Sequence, residues 1–201
     1  SSTLERIAVL AVPRISDWCV VEVVGTDGEL QQLAMMHKDP HKTDLAREIR
    51  ERFPPEPSLD IGVAAVVRNG AAALYAEIGD EQLSVRARNE EHLRMMRELG
   101  VSSAMVVPMT SRGRTHGAIT FVSDAGGKRF DTDALSVAGQ LAERAALAID
   151  NARLYQAERE ARAAAERATE RLARIQIVTT ELAVALTTER VAEIVIDHGV
   201  A

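Results

Sequence analysis

The chain has one cysteine, Cys19, which excludes an intrachain disulfide and a CxxC redox pair. Aromatic residues are only 3% of its 201 residues, which weakens any case for a stacked planar cofactor. No apolar run approaches the roughly 18 residues that span a bilayer, and no charged-then-apolar signal sequence opens the chain. It therefore reads as soluble and cytoplasmic, with no membrane partner. The net charge is −6 and there is no long basic block, so nucleic acid is not expected as a partner, because phosphate attraction supplies most of that affinity. The last absence is the most informative: between Gly139 and Gly199 there is neither glycine nor proline. Those residues most readily stop a helix, and the stretch is rich in Ala, Leu, Arg and Glu, so one very long helix is predicted.

Along that helix a seven-residue row runs Leu147, Leu154, Ala161, Ala168, Ile175 and Leu182. A second row, offset by four, becomes apolar with Ala165 and Leu172, so from about Ala161 the two rows make a seam of coiled-coil type. Such a seam wants a partner helix, and a parallel homodimer supplies one. Glu158 with Arg162 and Glu170 with Arg174 have the favourable i to i+4 order, each worth only ~0.2–0.5 kcal/mol.

Ahead of the helix, Thr3 to Val12 has helical spacing before Pro13. Trp18–Val24 and Leu30–His37 are two strand-like runs around Thr26-Asp27-Gly28, a hairpin signal. Thr43–Arg52 reads as a helix ended by Phe53-Pro54-Pro55. Gly62–Arg68 reads as a short helix stopped at Asn69-Gly70, Ala73–Ile78 as a short strand, and Glu90–Leu99 as a helix capped by Gly100. A second hairpin joins Ser103–Met109 to His116–Ser123 around Ser111-Arg112-Gly113-Arg114. Its first strand is apolar on both faces, which predicts a sheet covered on both sides. Asp131 is the expected N-cap of the long helix. The fold class is α+β: a central antiparallel sheet of five to six strands with helices on both faces, then a long coiled-coil-like helix. Thr3–Val12 also aligns without gaps on Thr187–Ile196, which reads as the start of a second copy of the domain. The expected organisation is a domain over 1–155, a linking helix over 156–186 and a truncated second domain over 187–201.

This layout resembles the GAF domain family, the small-molecule-sensing modules of bacterial signalling proteins. The resemblance is carried by residues 11–19, by Leu99 to Met109, by Gly117 to Val122, by Phe130 with Asp133, and by Ala145-Ala146-Leu147-Ala148-Ile149-Asp150-Asn151-Ala152-Arg153-Leu154-Tyr155. It implies terminal helices packed together on one sheet face and loops and short helices able to enclose a ligand pocket on the other. It also implies dimerisation through the terminal helices and an output domain further along the same chain, such as a histidine kinase or serine phosphatase.

Beside that resemblance the residues themselves offer little catalytic chemistry. Cys19 lies in an apolar strand and reads as buried and inert. Some relatives reduce free methionine sulfoxide, but that needs more than one cysteine. His37, His41, His92, His116 and His198 show no metal-ligand spacing, and no metal, haem or bilin site is evident. The cyclic-nucleotide members carry an Asn-Lys-Phe-Asp-Glu pattern, and no Asn here precedes Lys. An apolar pocket between the sheet and residues 62–99 is left as the ligand candidate, with Tyr75, His92, Met95 and Met96 as lining groups. The two methionines serve equally as core. His92, near Arg88 and Arg94, reads as a surface histidine. The function expected is a non-catalytic sensory and dimerisation module; the alternative is a degenerate scaffold that binds no small molecule and only mediates dimerisation and protein contacts.

Overall fold

The computed structural model describes residue 12 and residues 15–54 and 60–198, with the side chains of 178 and of 181 onward outside the description. Of the predicted first helix over 3–12 all but residue 12, and the Leu182 side chain, lie outside the described residues. The chain divides into two units, Ser1–Asn151 and Ala152–Ala201.

In the first unit β1 (Trp18–Val24) and β2 (Leu30–His37) form the first hairpin. The helix α1 (Pro40–Arg52) follows, then α2 (Gly62–Asn69), β3 (Ala73–Tyr75), α3 (Asp80–Arg86) and α4 (Glu90–Leu99). The long hairpin of β4 (Val101–Ser111) and β5 (Arg114–Asp124) leads into α5 (Thr132–His198). Five strands make one antiparallel sheet in the order β2-β1-β5-β4-β3.

Local chemistry moves several expected boundaries. α1 begins at Pro40, earlier than Thr43, because Asp39 accepts the His41 N–H at 3.0 Å and Pro40 takes the first helical position, where its missing N–H costs nothing. β3 ends at Tyr75, short of Ile78. The helix α3 was not foreseen; its first turn is closed by the Gly79 N–H donating to Gln82 Oε1 at 3.0 Å, and it buries Leu83. Gly70 and Gly100 end α2 and α4 in the left-handed conformation that glycine adopts without penalty. Asp131 caps α5 as expected, accepting the Ala134 N–H at 2.8 Å. Of the anticipated helix pairs, Arg162 turns instead to Glu166 at 3.0 Å.

Strand alternation divides the core. Cys19, Val21, Met105, Val107, Ile119 and Phe121 point to one face, where Ala138, Ala142, Ala145 and Ala146 of α5 lie fully buried. The alanine stripe lets the helix backbone come close to the sheet, and each large apolar side chain closed off there contributes about 1.5–3 kcal/mol. On the opposite face Val106 and Ala118 are covered by Val66 of α2, with Val63, Val67, Ala73 and Tyr75 around them. Strands β1 and β5 approach so closely that a Cβ on Gly117 would lie 2.1 Å from the Glu22 carbonyl oxygen.

In the second unit the described part of α5 is solvent-facing. Leu172 is 62% exposed and Ile175 53%, and Ala161, Ala165 and Ala168 are also open. Leu147 and Leu154, earlier in the same row, are each about half exposed at 52% and 49%.

Candidate functional site

The face turned away from α5 carries Trp18, Val20 and Glu22 of β1, with Thr120 and Val122 of β5 paired beside them. Glu22 interrupts an otherwise apolar strand. It is only 4% exposed, and Arg50 in the last turn of α1 donates to its Oε1 at 2.5 Å. A lone buried carboxylate needs such a partner, and the pair ties α1 to the sheet.

Two polar atoms on this face have none. Trp18 Nε1 and Thr120 Oγ1 are both closed to solvent and make no hydrogen bond among the described residues. Trp18 pairs with Val122, and Thr120 pairs with Val20, so the two residues sit diagonally on neighbouring strands, roughly 7–8 Å apart. A buried donor or acceptor left unmet costs about 1–3 kcal/mol, so such groups in a folded protein call for an explanation.

One end of the face is closed by a polar network. His37 Nδ1 accepts the Asp39 N–H at 2.8 Å, leaving Nε2 aimed at Asp124, 3.2 and 3.3 Å from its two carboxylate oxygens. Lys42 donates to Asp124 Oδ2 at 2.9 Å and to the Leu99 carbonyl at 2.6 Å. Asp17 accepts from Lys38 at 2.6 Å, from the Asp124 N–H at 2.9 Å and from Ser123 at 3.3 Å. Burial pushes the Asp17 carboxyl up, but these donors and the Lys38 charge outweigh it and hold the group below its ordinary range. A Cβ on Gly127 would lie 2.4 Å from Asp17 Oδ2, so glycine keeps that space open. The network joins the start of β1, the β2–α1 junction and the end of β5.

The four lining groups named from sequence fall into two settings. Tyr75 lies on the same face as Trp18, but its hydroxyl accepts the Gly62 N–H at 2.9 Å and so caps α2, while Arg86 lies over its ring. His92 is buried at 8% exposure, which overturns its reading as a surface histidine. It stacks on Phe53 with ring centroids 4.3 Å apart and 9° between planes, and its Nδ1 accepts the Arg88 N–H at 3.2 Å. Burial, and then the Arg88 charge, lower its pKa from the ordinary 6.5. Met95 is 4% exposed, with Arg52 Nη1 4.0 Å from its sulfur. Met96 is half-buried.

Trp18, Glu22, Thr120 and the His37–Asp124 pair escaped sequence reasoning. The signal for Glu22 was available: a single carboxylate inside Cys19-Val20-Val21-Glu22-Val23-Val24. Cys19 is fully buried, and burial pushes its thiol up to about 12. Among the described residues no three His, Cys, Asp or Glu side chains are grouped to hold a metal ion, and no helix is long and apolar enough to cross a membrane.

This sheet, with a helix-covered polar and apolar face on one side and a terminal helix on the other, defines an α+β domain. The chain belongs to the GAF domain family, whose family model matches residues 2–150. No curated protein sequence matches it. Among solved structures it is similar to the second GAF domain of DevS from Mycobacterium smegmatis, at 16% identity and a TM-score of 0.54 over 77% of this chain and 95% of that one. It is also similar to GAF3 from Slr1393 of Synechocystis sp. PCC6803, at 13% identity and a TM-score of 0.55 over 77% and 98%. A domain assigned to a two-component sensor histidine kinase protein from Sinorhizobium meliloti 1021 aligns at 14% identity and a TM-score of 0.52 over 79% and 99%. At these identities the likeness is one of fold.

Proposed function

We propose that the chain is a non-catalytic sensory and dimerisation module of a bacterial, cytoplasmic signal-transduction protein. In this reading a small molecule binds the face covered by α1 and α2, and α5 relays the bound state to an output domain in the same polypeptide, such as a histidine kinase or serine phosphatase. The observation that carries it is the pair of sheltered, unmet polar atoms, Trp18 Nε1 and Thr120 Oγ1, on one face. A ligand with an acceptor for the indole N–H and a partner for the hydroxyl satisfies both. Glu22, already neutralised by Arg50, asks for no cation.

The relay half of the proposal is supported by the open side chains Leu147, Leu154 and Ile175 of the first row and Leu172 of the second, all on one helix. A second copy of α5, lying parallel, would cover the seam along 156–186, with Ala161, Ala165 and Ala168 allowing close approach and Leu182 continuing the first row. Signalling then needs only two arrangements of the helix pair and a ligand that prefers one of them. Residues 187–201 are proposed to open a second GAF domain. The similar fold of a domain of the Sinorhizobium two-component sensor histidine kinase protein supports a histidine kinase as the output.

A second reading is a scaffold that binds no small molecule. It is favoured by the way Tyr75, His92 and Met95 are already engaged by Gly62, Phe53 and Arg52. Native mass spectrometry of the purified chain and of Thr120→Val separates the two. A small molecule carried by the first and lost from the second supports the sensor; bare protein in both supports the scaffold.

A further inference from the structure

The tip of the β4–β5 hairpin holds the one non-glycine residue, among those described, with positive φ. Ser111 pairs with Arg114, so Arg112 and Gly113 are the two central residues of a tight turn, with φ of +48° and +74°. Both conformations are left-handed, as a type I′ turn demands, and the first central position ordinarily takes Asn, Asp or Gly. Arginine there carries the penalty of a Cβ in left-handed backbone and has none of the local hydrogen bonding by which Asn or Asp offsets it.

What arginine supplies is reach. Its Nε lies 3.2 Å from Asp150 Oδ2 on α5. That oxygen makes no hydrogen bond among the described residues, so the guanidinium meets it as an ion pair at the edge of a carboxylate whose side chain is 17% exposed. The other oxygen, Oδ1, faces His116 Nε2 at 4.0 Å, and the same Nε2 is 2.8 Å from Ser111 Oγ. Ser111 and His116 are 6% and 2% exposed, which rules out a nucleophile open to substrate and makes the pair a rigid base for the turn.

We propose that the hairpin tip is a latch on α5, in which Arg112 grips Asp150 where the helix reaches the end of the first unit. β5 runs from this tip to Thr120, so the strand that bears the proposed ligand contact is also the one that bears the grip. The latch has a closed form, with α5 pinned at Asp150, and an open form, with that turn of helix released. Its part in signalling rests on the relay reading above; the latch itself does not.

Arg112→Asn tests it, because asparagine suits the turn better and cannot reach Asp150. Amide hydrogen exchange of the whole chain, with the urea midpoint measured alongside, is the readout. The expected result is exchange about 3- to 10-fold faster over residues 146–154, with the sheet amides and the urea midpoint unchanged or improved. Asp150→Asn should accelerate the same amides, and the double variant no more than either single one. Unchanged exchange over 146–154 in Arg112→Asn would overturn the latch, as would equal acceleration throughout the domain or full additivity in the double variant. The chain needs no ligand and no output domain for this, so failure of the latch and failure of the sensor reading are told apart.

Discussion

Arg50→Ala removes the partner of a carboxylate that has almost no access to water. Glu22 has a side chain 5% exposed, and Arg50, at 31%, is the one cation among the described residues that meets it, across 2.5 Å. Breaking a fully buried pair by removing one member costs about 3–5 kcal/mol, and hydrogen bonds to charged groups are worth about 1.5–3. Arg50 is partly open, so water can enter where the guanidinium was, and a loss of about 2–3 kcal/mol is expected. Glu22→Gln should cost less, about 1 kcal/mol, because the amide keeps the shape and Arg50 can turn to solvent. The double variant should lose less than the two single losses added together, since the buried charge is gone before its partner is taken away. Urea unfolding measures all three; with a slope of about 1–3 kcal/mol/M, the Arg50→Ala midpoint should fall by about 1 M. An Arg50→Ala midpoint within error of the parent, or losses that simply add, would refute the claim that this pair fastens α1 over the sheet.

Gly117→Ala should destabilise by about 3 kcal/mol or more, since its Cβ would meet backbone, 2.1 Å from Glu22 O and 2.7 Å from Val23 Cα, and strand β1 must move; thermal unfolding reads it. Cys19, buried and with its thiol pushed up to about 12, should resist thiol reagents at pH 8 in the folded chain and react fully in urea. His92 has a folded pKa below its ordinary 6.5, so the unfolded chain takes up the proton first. Stability is therefore complete above about pH 6.5 and falls as the pH drops through that value toward the folded pKa, and His92→Gln should flatten the dependence between about pH 7 and 5. Asp17 follows the same sign at lower pH: its lowered pKa gives stability above about pH 4 that is lost in more acid solution.

The elements set by punctuation and alternation were legible in the sequence. Asp27-Gly28 and Arg112-Gly113 fixed the two hairpins, Gly70 and Gly100 ended their helices, and Met105 and Val106 pointed to opposite cores as their alternation required. The helix α3 was not legible, because Asp80–Arg86 buries only Leu83 and so shows no apolar stripe. The site was read less well for a physical reason. Its defining groups are juxtaposed by strand pairing, as with Trp18 and Thr120, or bridge residues far apart in sequence, as with His37 and Asp124. No local spacing records such contacts. His92 was misread because flanking charges suggested an exposed helix, whereas Phe53, brought back by the end of α1, covers its ring.

The central claim is that two copies of α5 form the relay, and the mass of the chain in solution tests it most directly. Light scattering on the purified protein should give twice the 21.8 kDa chain mass, and the Leu172→Lys, Ile175→Lys double variant should give 21.8 kDa with the sheet domain still folded by circular dichroism. A parent chain that runs at 21.8 kDa, or a double variant that stays dimeric, would contradict the account.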